Sequence, residues 1–396
     1  AALNVPWNFL FGIVSETAAG SETNPYNYMS RPEAQRIVDS LQRRNSSAVQ
    51  TNFGDRPNVL LVIWESGTAK VIGETYEGVA VTPGFNQLRN EGLWFANAWA
   101  SGDRTDKGLP AILSGYPALP QSSIIRLPNK SRKLETLPAL YKKAGYATSF
   151  YYGGETEFAN IKSYLLGAGY NPLVDKSDFA AKDQNSKWGA HDGVVADRIL
   201  TDLAGAGKPF FCTWLTLSSH EPFETPVAPV IGGTDDTHLF INSLHYTDSV
   251  LYRFVRRCQA QPWWANTILV IVADHGHPLP DKGRRIENFR IPILILGGSV
   301  MPAVVTQTVS QLDIATTLAP AGTAPAVFPF SRSLLQPAGW AFFSFNNGFG
   351  IVQDSTYVLF DNVGRRVLEQ SRNATPAMLR AGQSLQQATY QDYLDK

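Results

Sequence analysis

"NTILVIVADHGH", residues 266–277, is an unbroken apolar run that turns polar in a single step at Asp274. A strand with one face in water alternates apolar and polar side chains. A continuous run of this length, rich in Ile and Val, suits a strand buried on both faces, as in a parallel sheet covered by helices. The same reading holds for "NVLLVIW" (58–64), "PFFCTWLTL" (209–217) and "IPILILGG" (291–298), with "ATSFYY" (147–152) a weaker fifth. Helical patterns lie between and beside them: "TPGFNQLRNEGLWF" (82–95), "TLPALYKKAGYA" (136–147), "HDGVVADRILTDLAGAG" (191–207) and "FINSLHYTDSVLYRFVRRCQAQ" (240–261). Strand and helix in alternation predict an α/β fold with a doubly wound, mostly parallel sheet flanked by helices.

The ends of the chain read differently. "WAFFSFNNGFGIVQDSTYVLFDN" (340–362) predicts a small C-terminal antiparallel β element turning at Asn346-Asn347-Gly348, and the last stretch a terminal helix. Residues 1–55 read as a partly helical lead-in. This gives three parts: 1–55, a juxtamembrane or lead-in segment; 56–335, the main α/β domain; and 336–396, strands and a helix packed on it.

Composition excludes some classes. Apolar residues are 44% of the 396 and charged residues 17%, enough for a large core and against disorder. Lys plus Arg number 34 and Asp plus Glu number 34, so no basic surplus points to nucleic acid. No run reaches the roughly 18 apolar residues of a membrane span, and no basic n-region marks a signal peptide. The chain opens without Met, which reads as a processed or trimmed form of something longer. "AALNVPWNFLFGIV" reads either as a juxtamembrane segment or as a strap on the domain. Cys212 and Cys258 lack metal-ligand spacing and read as unpaired thiols, at least one of them in the core.

In open α/β sheets, sites gather at the carboxyl ends of the strands. There this sequence places Glu65-Ser66, Asp274-His275-Gly276-His277, His220 and Glu155. A set of Glu, Asp and His suits Mn²⁺, Zn²⁺ or a similar divalent ion. Such an ion activates a hydroxyl that is otherwise a poor nucleophile. "SGDRTDKGLPAILSGYP" (101–117) supplies one in Thr105, at a predicted helix start, with Arg104 and Lys107 adding positive charge for a phosphate. Taken singly, each piece has a plainer reading. "DRTD" is a solvated loop with Asp103 or Thr105 as a helix cap. His220, His238 and His245 are structural side chains. The joint pattern is what carries the functional reading.

Those pieces resemble the alkaline phosphatase/sulfatase superfamily, and within it the lipoteichoic acid synthase-like, phosphoglycerol transferase-type branch. The resemblance rests on "NVLLVIWES", "TPGFNQLRNEGLWFANAWASGDRTDKGLPAILSGYP", "WGAHDGVVADRIL", "LTLSSHEPF", "LHYTDSVLYRFV" and "NTILVIVADHGHPLP" followed by "FRIPILILGG", in that order. It implies an alkaline phosphatase-like fold and a single-metal site of Glu65, Thr105, Asp274 and His275, with Thr105 the nucleophile. One divalent ion is implied, Mn²⁺ first, with Zn²⁺ or Mg²⁺ as alternatives. His220 becomes the group that meets the transferred phosphate or its leaving group.

The resemblance also implies an extracytoplasmic catalytic domain held at the membrane surface by N-terminal helices absent from this chain. Its partners would be a phospholipid head-group donor and a glycan or lipid acceptor. The nucleophile position lacks the Cys/Ser-x-Pro-x-Arg of formylglycine sulfatases, which argues against that chemistry. A further departure touches the head group. Where the synthases hold phosphoglycerol with a Trp and an Arg, "GGETEFANIKSYL" has Ala159 and Ile161 around Asn160. Arg104, Lys107, His191, His277 and Asn160 are the candidate substrate contacts in their place. The expected activity is phosphotransfer to a hydroxyl. Hydrolysis of phosphate esters at the same site and a non-catalytic anionic glycan- or lipid-binding module are the alternatives.

Overall fold

A computed structural model describes residues 23–43, 48–207 and 209–396. The opening apolar segment, read above as juxtamembrane or strap, lies outside the described residues. The main-sheet strands in chain order are β1 (Asn58–Trp64), β2 (Leu93–Trp99), β3 (Ala147–Tyr152), β4 (Leu173–Val174), β5 (Phe210–Leu215), β6 (Thr267–Ala273), β7 (Arg290–Gly297), β8 (Ala303–Val305) and β9 (Val309–Ser310). The principal helices are α1 (Arg31–Gln42), α2 (Pro83–Leu88), α3 (Thr105–Ser114), α4 (Leu137–Lys143), α5 (Ile161–Gly167), α6 (Asp192–Leu203), α7 (Asp236–Gln259) and α8 (Pro376–Asp395).

Among the described residues the strands form a nine-stranded sheet in the order β8-β2-β7-β6-β1-β5-β3-β4, with β9 also pairing β2. The mostly parallel α/β sheet flanked by helices that the sequence predicts is present. β6, β1, β5 and β3 run parallel side by side, so their carboxyl ends share one edge. Every residue of β1, β5 and β6 is buried, which is why those runs are continuously apolar. One apolar layer packs beneath the sheet around Leu109, Ile112 and Phe150, the other above it around Trp64, Phe240 and Phe254.

Two elements depart from the expected pattern. β7 is antiparallel to both of its neighbours, β2 and β6, so its carboxyl end lies at the opposite edge from the candidate site. The predicted helix 82–95 ends at Leu88, and Leu93–Trp99 is a strand. Gly92 marks the change: a Cβ there would lie 2.3 Å from the Ile295 carbonyl oxygen, too close for anything but glycine where β2 enters against β7.

The C-terminal four-stranded antiparallel sheet runs Trp340–Phe345, Gly348–Gln353, Thr356–Asp361 and Arg366–Gln370. Its first turn is at Asn346-Asn347, with Asn347 at φ 62°. One face of this sheet packs on the main domain through Trp99, Phe289 and Phe343, whose Phe289–Phe343 rings stack at 4.1 Å. The other face receives α1 and α8 around Phe349 and Leu385. Cys212 and Cys258 are both buried and free. No helix among the described residues is long and apolar enough to cross a membrane.

Candidate metal centre and active site

Glu65 follows β1 and is buried. Its backbone N–H donates to Thr216 Oγ1 at 2.9 Å, and its carbonyl accepts from Ser219 Oγ at 2.6 Å. Ser66, held at φ 56°, donates its hydroxyl to Glu65 Oε1 at 2.8 Å and its N–H to Asp274 Oδ1 at 2.9 Å. The backbone is thus strained where the two neighbouring strand ends are tied together. His275 donates its N–H to the same Asp274 Oδ1 at 2.8 Å. Its Nδ1 lies 2.7 Å from the Gly276 carbonyl, so that nitrogen carries the hydrogen. Nε2 then faces the carboxylates, 3.5 Å from Glu65 Oε1 and 3.4 Å from Asp274 Oδ2.

Thr105 reaches this cluster from a separate element. It is the first residue of α3, and its Oγ1 donates to Glu65 Oε2 at 3.1 Å. The cap of that helix is Arg104, not Asp103 or Thr105, and it makes no side-chain cap bond. α3 packs so tightly on β6 that a Cβ at Gly108 would sit 2.2 Å from the Asp274 carbonyl oxygen. Gln311 secures the same junction. Its Nε2 donates to the carbonyls of Ala273 and Asp274 at 2.6 and 2.7 Å, while its Oε1 accepts from Ser101 N at 3.0 Å. Gln311 is fully buried and went unread in the sequence, because a lone Gln bonding backbone carries no pattern.

The residues fit a divalent cation. One ligand atom each from Glu65, Asp274 and His275 lie within 4.8 Å of one another, and all three residues are buried. Asp274 Oδ2 is buried without a hydrogen-bond partner. Burial, then the Glu65 charge, holds the Asp274 carboxyl well above the usual carboxylate range. Burial pushes Glu65 the same way, but the hydrogen bond and charge of His275 outweigh it and keep Glu65 below that range. Burial works against the charge on His275, but the two carboxylates raise it. Two crowded carboxylates and an imidazole with its outer nitrogen anchored make an oxygen-and-nitrogen set for one small cation.

The other sequence-predicted residues are placed as follows. Lys107 is buried and paired with Asp103 at 2.9 Å, while Arg104 is exposed at the start of α3. His191 caps α6; it is buried, with Nδ1 3.3 Å from Ser218 Oγ, and burial lowers its pKa. His277 is pushed down to about 4 by burial and then by the charge of His275. Its Nδ1 accepts from Leu279 N at 3.0 Å, and its ring lies 4.0 Å from that of Phe240. Asn160, at φ 62°, donates to the Arg126 carbonyl at 2.9 Å, and Arg126 in turn pairs with Asp106 at 2.7 Å, next to Thr105. Glu155 is exposed and pairs with Lys176 at 2.8 Å. His238 is held between Asp235 and Glu77, and His245 bonds the Ala80 carbonyl.

His220 follows β5 and is near enough to Glu65 for its charge to lower that carboxyl. The backbone just before it is held by Asp192, which is fully buried. Asp192 accepts from Leu217 N at 2.6 Å, Ser218 N at 3.2 Å and Thr247 Oγ1 at 2.8 Å. Tyr152, at the end of β3, also faces this cluster. Burial, then the charges of Glu65 and Asp274, raise its pKa.

A model of the sulfatase family matches residues 57–323. Phosphoglycerol transferase I of Xanthomonas campestris pv. campestris is 28% identical over 296 residues, covering 66% of this chain and 40% of that protein. Lipoteichoic acid synthase-like YvgJ of Bacillus subtilis is 22% identical over 237 residues, covering 57% of this chain and 38% of that protein. The chain therefore spans about two fifths of the length of these relatives. A solved protein of the alkaline phosphatase superfamily from Vibrio parahaemolyticus superposes with a TM-score of 0.80 at 23% identity, covering 93% of this chain and 97% of that one.

Proposed function

The chain belongs to the sulfatase family, and on that premise we propose that it is the catalytic part of a metal-dependent phosphotransferase with Thr105 as nucleophile. The observation that carries the reading is the Thr105 hydroxyl, 3.1 Å from Glu65 Oε2 on the edge of the buried Glu65–Asp274–His275 cluster. In this reading those three residues and Thr105 hold one divalent ion, with Mn²⁺ the first choice. When bound, such an ion lowers the pKa of a hydroxyl beside it and offsets the negative charge of a phosphate.

The chain's own residues do the rest. Glu65 Oε2 receives the hydrogen bond of the Thr105 hydroxyl and orients the oxygen. The hydroxyl gives up its proton along that hydrogen bond, and the oxygen forms a bond to phosphorus as the bond from phosphorus to the leaving alcohol breaks. In the second half the acceptor oxygen bonds to phosphorus as the Thr105–phosphorus bond breaks, and Thr105 takes its proton back. His220 Nε2 gives its proton to the departing oxygen and is left able to take one from the acceptor hydroxyl. The N-terminus of α3 and Arg104 favour the anionic phosphate. Lys107 contributes through Asp103, which it fixes beside Thr105.

The donor we propose is a phospholipid with a phosphoglycerol-like head group, and the acceptor a glycan or lipid hydroxyl. The names of the relatives support this class. Ala159 and Ile161 leave the head-group contacts to other residues. A phospholipid donor in turn supports an extracytoplasmic site at a membrane face, anchored through segments outside this chain. We also keep 56–335 as the catalytic domain, with 1–55 and 336–396 as its flanking parts.

The test is covalent labelling. Incubated with Mn²⁺ and phosphatidylglycerol labelled in its head group, the protein should carry phosphoglycerol on Thr105 by mass spectrometry. Thr105→Ala should fold, take no label and lose turnover. Turnover retained in that variant would sink the reading. Product analysis with and without an added alcohol separates transfer from hydrolysis.

A further inference from the structure

Trp188 is a large aromatic left 39% exposed beside the candidate acid, His220. Burial does not explain its place, since much of its apolar surface stays in water. Its polar contact is more specific. Trp188 Nε1 donates to the Glu221 carbonyl oxygen at 2.6 Å, and His220 Nδ1 lies 2.8 Å from the same oxygen. The indole and imidazole rings meet edge to face, with centroids 5.3 Å apart and planes at 77°.

The support under Trp188 is rigid. Ser186 Oγ donates to the Gly189 carbonyl at 2.8 Å and accepts from Gly189 N at 3.0 Å, closing a tight turn that contains Trp188. A Cβ at Gly189 would lie 2.1 Å from the Gly153 carbonyl oxygen, just beyond β3 at the sheet edge that carries the site. Ala190 N then donates to that oxygen at 2.9 Å. The Lys187 ammonium lies over the indole 4.8 Å from its centroid.

We propose that Trp188 is a positioning residue for His220. A carbonyl oxygen offers two lone pairs, and here both receive a donor. Indole N–H only donates, so it holds the carbonyl in the orientation that also receives His220 Nδ1–H. The imidazole keeps its hydrogen on Nδ1 in both charge states, and Nε2 is the nitrogen that gives and takes the catalytic proton. The indole packed against it limits rotation of the ring. This inference rests on His220 acting as the general acid of the proposed reaction.

The experiment compares two donors in the presence of Mn²⁺. Phosphatidylglycerol leaves as an alkoxide that needs a proton; bis(p-nitrophenyl) phosphate leaves as a phenolate that does not. Trp188→Phe keeps the ring contact and removes the donor. It should lower kcat on phosphatidylglycerol about tenfold, a share of the 10²–10⁴ that a general acid supplies, with KM unchanged and the nitrophenyl ester within about twofold. Trp188→Ala should lose more on the same donor. In a His220→Ala background, Trp188→Phe should add nothing.

Equal losses on both donors, or an effect that persists without His220, overturn the inference. His220→Ala alone is the control for the underlying reading. If it slows both donors equally, the acid role itself fails. If it is selective and Trp188→Phe is not, only the role of Trp188 falls.

Discussion

Thr105 Oγ1 and Glu65 Oε2 stand 3.1 Å apart although the residues are 40 positions distant in the chain. Glu65 therefore has a neighbour on each oxygen: Thr105 on Oε2, and Ser66 and His275 on Oε1. Removing its charge should disable the proposed cation site first. Mn²⁺ in excess should raise the melting temperature of the protein by several degrees. A ligand at a thousandfold its Kd stabilises by about 4 kcal/mol, and in a chain of this size each kcal/mol moves the midpoint by about 1 °C. Glu65→Gln should abolish that rise while keeping the fold. Thr105→Ala should keep most of it, because the three buried ligands remain. A rise of equal size in Glu65→Gln would remove Glu65 from the site.

Gly108 sets how closely α3 meets β6. Alanine is the better helix residue by about 1 kcal/mol, so on propensity alone Gly108→Ala should stabilise. The added methyl, however, would lie 2.2 Å from the Asp274 carbonyl oxygen and 2.8 Å from its carbon, backbone atoms that cannot swing away. Overpacking of that kind costs about 1–3 kcal/mol, so the clash prevails. α3 should shift and carry Thr105, one turn earlier, off the cluster. A displacement of about 1 Å costs on the order of 100-fold in rate. Steady-state turnover and thermal unfolding of Gly108→Ala should both fall; wild-type turnover would show that α3 has room the structure does not provide.

The legible part of this candidate site is the part written as contrast along a strand. Ile268–Ala273 and Val59–Trp64 are apolar because both faces of the sheet are covered, so the first polar residues after them, Asp274 and Glu65, stood out at the edge where parallel strands end. Thr105 was legible through the charges around it, but their use was not. Lys107 is buried against Asp103 and stands back from the surface. β2 was misread because Leu93-Trp94-Phe95 continues a helical spacing as readily as it starts a strand, and Gly92 settles the matter only through the neighbouring β7. β7 looks like its parallel neighbours because burial on both faces, not direction, sets its composition. Gln311 and Trp188 work through backbone carbonyls distant in the chain, a relation that no local pattern encodes.

Asp248, on α7, offers a test of the fold that does not touch the proposed cation site. Its carboxylate accepts from Gly84 N and Phe85 N, both at 2.7 Å, and so caps α2 from outside. Burial raises its pKa to about 6, against the lowering effect of those two bonds. The sign is the reverse of a salt-bridged acid. The unfolded chain releases this proton near pH 4, whereas the folded one keeps it to about pH 6. Stability from this group is therefore full below pH 4 and declines as pH rises to 6. Two pH units at 1.36 kcal/mol each give a decline of about 3 kcal/mol. Asp248→Asn should lack that component. Its single carbonyl oxygen leaves one backbone N–H without its partner, a constant cost of about 1–3 kcal/mol. In urea unfolding between pH 4 and pH 7, the variant should be much the weaker at pH 4 and close most of the gap by pH 7. A gap that stays constant across that range would mean that Asp248 is ionised in the fold throughout, with its charge carried by the two N–H groups of α2.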